Sequence, residues 1–192
     1  VDVGEQDDTT WLITTAVPGR SAAEPWPEEQ RGGVVDALAD VARALHALHT
    51  RECPFDRSLA VNPAAGSPGS RRRLGGPRRP GCRHGWTTTE LLTQLEATRP
   101  ETEELVTCHG DPCLPNILLN PDTLQVTGLI DVGRLGAADR YADLALAARS
   151  LSSASLNPQF GRSYVDRFLA RYGEPHIDIR RLAFYQLLDE FF

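Results

Sequence analysis

The sequence predicts a mostly helical α+β domain. Three features predict it: a β-branched run near the start, a cluster of short β-type runs in the middle, and helical periodicity on either side of that cluster. Residues 10–17 are rich in Thr, Leu, Ile and Val and are closed by Pro18 and Gly19, which reads as a single N-terminal strand running into a turn. Beyond a Pro-containing loop, Val34, Leu38, Val41, Leu45 and Leu48 recur at steps of three and four, the apolar stripe of an amphipathic helix that packs into a core. Residues 60–86 break the pattern with Pro63, Pro68, Pro77 and Pro80 among glycines, so no regular element is expected there.

Helical signals return at Thr87, which with Glu90 spells a capping box ahead of Leu91, Leu92 and Leu95, and Pro100 lies beyond the end. The period then changes. Residues 105–108, 116–119 and 125–130 are short β-type runs separated by turn residues. From Ala137 onward three helices are expected, roughly over residues 138–153, 158–172 and 178–190, with Gly173 and Pro175 separating the last two.

Composition narrows what such a domain can do. The 192 residues are 41% hydrophobic and 24% charged, an ordinary globular balance with enough chain for one sizeable core. No apolar run is long enough to span a bilayer and the start lacks a targeting pattern, so a cytoplasmic chain without membrane contact is expected. Twenty basic residues, all Arg, stand against 26 acidic ones, a net charge of -6 that disfavours nucleic acid and suits a cationic or metal-bound partner. Cys53, Cys82, Cys108 and Cys113 show no framework spacing, so reduced thiols are expected. A zinc site drawn from Cys82, His84, Cys108, His109 and Cys113 would lack the close ligand pairs that structural zinc keeps.

The chemistry concentrates in Asp111, Asn116 and Asp131. A tight loop bracketed by Pro112 and Pro115 can aim Asp111 and Asn116 into one cleft, and a turn at Asn120, Pro121 and Asp122 returns Asp131 beside them. Phosphoryl transfer needs such a set, because it is dominated by positioning and by neutralising phosphate charge. An Asp and an Asn five residues apart are, alone, ordinary turn chemistry; Asp131 behind an apolar strand favours the functional reading. His109 reads as a loop organiser rather than a base, and Cys108 and Cys113 as small buried fillers. Arg134 and Arg149 fit ion pairs with Asp139 or Asp143 as well as they fit a functional role. Asp189 and Glu190 end a helix where acids oppose the dipole, which points to a use other than stability.

Cys108-His109-Gly110-Asp111, Leu114-Pro115-Asn116, Ile130-Asp131, Gly133-Arg134-Leu135-Gly136, Ala138-Asp139-Arg140-Tyr141 with Asp143-Leu144-Ala145, and the ending over residues 184–192 together resemble the aminoglycoside 3'-phosphotransferases that inactivate neomycin and kanamycin. The resemblance implies a protein-kinase-like fold, here mainly the helical C-terminal lobe with a small β cluster and a remnant of the hinge strand. Residues 1–19 would be that remnant and residues 20–192 the catalytic lobe. It implies Asp111 as the catalytic aspartate, Asn116 and Asp131 as ligands of Mg²⁺ on ATP, and Thr15, Ala16 and Ile130 around the nucleotide. It further implies Arg134 and Arg149 near phosphates and substrate, and Asp189, Glu190 and the Phe192 carboxylate facing the ammonium groups of the aminoglycoside. No oligomeric state follows.

Two departures stand out. The sequence holds no Lys, so the family's phosphate-binding lysine is missing by count, and the chain, opening on Val1, is read as a partial sequence beginning near the hinge. Little activity is expected of it alone. Arg71, Arg72, Arg73, Arg78, Arg79 and Arg83 also replace a segment that is usually acidic in the family, which suggests a shifted reading frame between about Asn62 and Gly85. A binder without turnover, or a kinase for another small alcohol such as choline or homoserine, are the competing expectations.

Overall fold

The structure, a computed structural model, describes residues 1–6, 9–61, 86–173 and 176–191. In chain order these form β1 (Asp2–Gln6), β2 (Thr9–Ile13), β3 (Arg20–Ser21), α1 (Glu28–His46), α2 (Thr88–Thr98), β4 (Leu105–Cys108), β5 (Ile117–Leu119), β6 (Val126–Leu129), β7 (Gly136–Asp139), α3 (Arg140–Ser152), α4 (Arg162–Tyr172) and α5 (Ile179–Leu188). The Arg-rich stretch with its expected frame shift, the zinc candidates Cys82 and His84, and the Phe192 carboxylate all lie outside the described residues. Among the described residues no helix is long and apolar enough to cross a membrane.

Helix α3 organises the rest. Its sequence is rich in Ala and Leu on every face, and a helix that is apolar all round has to be buried. Leu144, Ala147, Ala148 and Leu151 pack into a core with Val34, Val35 and Leu38 of α1 and Phe168 of α4. On the other side Tyr141 and Ala145 join a second cluster with Leu91 and Leu95 of α2 and Phe184, Leu187 and Leu188 of α5. The helix starts at Arg140 because Asp139 caps it, its carboxylate accepting the Tyr141 N–H at 2.9 Å. Helix α2 carries the capping box that its sequence spells, with Thr87 Oγ1 accepting from Glu90 N and Glu90 Oε2 from Thr87 N.

Helices α1 and α4 are tied along their exposed edge by two forked ion pairs one turn apart, Arg167 on Asp36 and Arg171 on Asp40. Each is solvent-exposed and contributes only about 0.2–1 kcal/mol, so the pairs add little to stability. The apolar stripe of α1 is buried at Val34 and Leu38, but the helix ends at His46 and leaves Leu48 54% exposed.

The β elements differ from expectation at three places. A single N-terminal strand is expected, yet β1 and β2 form an antiparallel hairpin with Asp2 opposite Ile13. Both faces of β1 are mostly open to solvent, so no buried face imposes the alternation by which strands are read. Its Gly4 lets the indole of Trp11 lie against the backbone, since a Cβ there would sit 2.3 Å from the ring. Strand β7 was not expected because Gly, Ala and Asp carry no β signal; pairing with β4, Leu105 opposite Asp139 through Cys108 opposite Gly136, makes it a strand. The two-residue β3 pairs with β5, which also pairs with β6, so the small β cluster is two separate sheets.

The β4–β7 pairing draws the loop after β4 close under Arg134. Gly110 sits there at φ 87°, and a Cβ would lie 2.4 Å from the Arg134 carbonyl oxygen. Gly110→Ala is expected to cost about 1–3 kcal/mol from backbone strain alone, and more if the clash does not relax. Urea unfolding of the two proteins measures it.

Candidate active site

Two local constructions place Asp111 against Asn116 and leave Asp131 one residue past the ladder partner of Asn116. The first is the loop after β4. The Asp111 N–H donates to His109 Nδ1 at 3.2 Å, and the Asp111 carbonyl accepts the Asn116 side-chain N–H at 2.9 Å. Both polar groups of the Asp111 backbone are therefore committed, and its half-buried carboxylate takes a hydrogen bond from the Cys113 thiol. The second is the β5–β6 hairpin, closed at Asn120, whose side-chain oxygen accepts the Asp122 and Thr123 N–H groups. Its ladder runs one step past the strands: Ile130 N donates to Asn116 O at 3.0 Å, which leaves Asp131 one residue beyond the partner of Asn116.

Asp131 stands in the left-handed region at φ 57° and ψ 46°, and it is exposed. A non-glycine residue held there costs roughly 1 kcal/mol or more, the kind of strain that collects at functional sites. The residues that follow form a short 3-10 turn, Val132–Arg134.

The loop is bolted to α3 at two points seven residues apart on one helix face. Asp143 Oδ2 accepts the His109 N–H and Oδ1 the Gly110 N–H, both at 2.8 Å, and Ser150 Oγ accepts the Leu114 N–H at 3.0 Å. His109 is wholly buried; its Nδ1 accepts from Asp111, so the hydrogen resides on Nε2 and the ring braces the loop. Burial pushes the Cys108 thiol far up, helped by the nearby Asp143 charge, and it pushes Cys113 up as well, so both stay protonated fillers.

Arg134 and Arg149 share a partner that the sequence does not suggest. Both guanidiniums grip Asp189, one on each carboxylate oxygen, from sequence separations of 55 and 40 residues. Asp189 opens the 3-10 turn Asp189–Phe191 that follows α5, and Glu190 is half-buried beside it. A cleft of about 170 Å³ is lined by Gly110, Arg134, Asp189, Tyr185, Leu146 and Asp56 among others. Asp56 was missed from sequence. Its one signal is an Asp-x-Ser turn, in which the Ser58 N–H and hydroxyl hold the Asp56 carboxyl below its ordinary value. Thr15 and Ala16 lie exposed in the irregular stretch after β2, and Ile130 is 40% exposed at the hairpin's end.

Burial tends to raise the Asp189 carboxyl, but hydrogen bonds and charge from Arg134 and Arg149 outweigh it and hold the group below the usual carboxylate range. A depressed folded-state value contributes stability that is present above the unfolded carboxylate value and is lost as pH falls through the folded one. Asp189→Asn is expected to cost about 1–3 kcal/mol near neutral pH and to flatten the decline in stability between about pH 4 and the acid limb. Thermal melts of both proteins from pH 7 to pH 3 measure the difference.

Residues 2–185 match the phosphotransferase enzyme family. The chain is 52% identical over 205 residues to an aminoglycoside 3'-phosphotransferase of Streptomyces ribosidificus, a match covering all of this chain and 73% of the relative. Among solved structures it superposes on an aminoglycoside 3'-phosphotransferase of type VIII with a TM-score of 0.86 at 47% identity, over all of this chain and 72% of the other. It also superposes on an aminoglycoside phosphotransferase of Streptomyces rimosus in complex with ADP and streptomycin, with a TM-score of 0.75 at 35% identity, over 99% and 73% of the two chains. Geometry and relatives agree: the chain belongs to the phosphotransferase enzyme family, in the branch of the aminoglycoside phosphotransferases.

Proposed function

We propose that the chain carries the acceptor site of an aminoglycoside 3'-phosphotransferase, which moves the γ-phosphate of ATP to a hydroxyl of the antibiotic in the cytosol. The observation that carries this reading is the double anchorage of Asp111. With its N–H on His109 and its carbonyl on Asn116, the residue can present only its carboxylate to a substrate hydroxyl. Asp111 accepts the proton of that hydroxyl as it attacks phosphorus, and the rigid loop keeps the carboxylate from relaxing away.

The donors near Asp111 suit a hard divalent cation. The Asn116 amide nitrogen is committed to Asp111, which leaves its oxygen, and Asp131 adds an exposed carboxylate. Asn116 and Asp131 would hold Mg²⁺, which when bound with ATP offsets charge on the phosphates. Thr15, Ala16 and Ile130 offer backbone and an apolar edge to the adenine; that the Streptomyces rimosus enzyme was solved with ADP and streptomycin supports a nucleotide and an aminoglycoside in this fold. Asp56 on the cleft wall, with Glu190 in the turn after α5, offers acid to ammonium groups of a polycationic sugar, and Asp189 would meet them only while shared with Arg134 and Arg149. Arg134 and Arg149, fixed by Asp189, bring positive charge to the phosphate side.

Within this sequence, phosphate charge falls to arginines, and a binder with little turnover is the competing reading. Radiolabelled ATP with Mg²⁺ and neomycin or kanamycin separates the two. Label on the antibiotic and not on choline supports transfer, and Asp111→Asn is then expected to lower whatever rate the chain has about 10²–10⁴-fold. Calorimetric binding of neomycin without label transfer supports the binder; label on choline at a comparable rate, or a rate indifferent to Asp111→Asn, overturns the proposal.

A further inference from the structure

A second hydrogen-bonded chain reaches the Asp111 loop from behind, from residues remote in sequence. Asp143, whose carboxylate holds the His109 and Gly110 N–H groups, is almost completely buried on α3. Its Oδ2 also faces His46 Nε2 at 3.2 Å, and His46 Nδ1 faces the Tyr172 hydroxyl at 2.8 Å. The carboxylate can only accept, so Nε2 carries a hydrogen and donates it. The imidazole and phenol rings meet edge to face with centroids 5.5 Å apart, so the His46 ring is held by packing as well as by both nitrogens.

A further group against the ring is the Cys108 thiol of β4, with Sγ 3.9 Å from Nε2 and also directed at the Asp139 carbonyl at 3.4 Å. The donor atoms of His46, Cys108 and Asp143 lie within 4.8 Å of one another, a closeness that these hydrogen bonds already explain. His46 ends α1 and Tyr172 ends α4, so the chain of contacts ties the last turns of two helices to a third helix and through it to the loop.

A buried carboxylate deprived of one of three donors becomes costlier to keep charged and freer to turn. We propose that His46 and Tyr172 are positioning residues for Asp111: Tyr172 orients the His46 ring, His46 fixes the Asp143 carboxylate, and Asp143 holds the His109–Gly110 backbone from which Asp111 projects. This rests on the reading of Asp111 as the proton acceptor, but the mechanical link can be measured without turnover.

The test is amide hydrogen exchange by NMR on the whole chain in four variants. Tyr172→Phe removes only the hydroxyl, His46→Leu removes both ring nitrogens, and His46→Gln keeps an N–H near the Nε2 position. Val165→Ala, in the buried face of α4 away from this chain, is the control for a merely weakened core. Compared with the control adjusted by urea to equal global stability, the His109 and Gly110 amides are expected to exchange about tenfold faster in Tyr172→Phe and His46→Leu. His46→Gln is expected to return them close to the unsubstituted protein. Exchange that follows global stability alike in all four variants overturns the role of His46 and Tyr172 and leaves the Asp111 assignment standing. Phosphate transfer indifferent to Asp111→Asn removes that assignment and leaves the exchange result intact.

Discussion

The arrangement turns on one buried carboxylate. Asp143 lies in the first turn of α3, whose other buried positions are Ala, Leu, Tyr and one Ser, and an unpaired charge there would cost several kcal/mol. It is tolerated because two backbone N–H groups and an imidazole surround it. Those two N–H groups belong to the residues immediately before Asp111, so satisfying the charge and placing Asp111 are one and the same event. The electrostatic demand of the core is what gives the loop its shape.

Helix α3 can serve this way because it is packed from both sides. The α1 and α4 cluster and the α2 and α5 cluster use different residues of the same helix, so neither can shift without disturbing the other. From that fixed axis the site is assembled outward. Asp143 and Ser150 seat the loop, and Arg149 at the helix's end reaches across to Asp189 after α5. The β5–β6 hairpin then brings Asp131 next to Asn116 by continuing its ladder by a single pair.

Much of this was legible in the sequence where the signal is local. The stripe of α1 as far as Leu38, the Thr87 and Glu90 cap, the β5–β6 turn at Asn120 and the Pro-bracketed loop all depend on residues within a few positions of one another, and each appears where such spacing requires. What was not legible depends on distant partners. Strand β7 is made by β4, thirty residues earlier in the chain at Cys108–Ala138 contact, and its Gly-Ala-Ala-Asp composition says nothing of it. The grip of Arg134 and Arg149 on Asp189 joins three segments that no helical spacing relates. Asp56 enters the cleft only because Ala137 pairs with its neighbourhood.

The charged edge between α1 and α4 has a consequence for how the two helices find each other. Its rungs, Asp36 with Arg167 and Asp40 with Arg171, repeat at one-turn intervals, so sliding α4 by a turn would still let Arg171 meet Asp36. Charge alone is thus degenerate between two alignments. Tyr172 and His46 occur once each at the end of their helices, and a one-turn slip of about 5.4 Å would separate them. A single phenol therefore resolves an ambiguity that four charges leave open, acting as the index mark by which the pair is set.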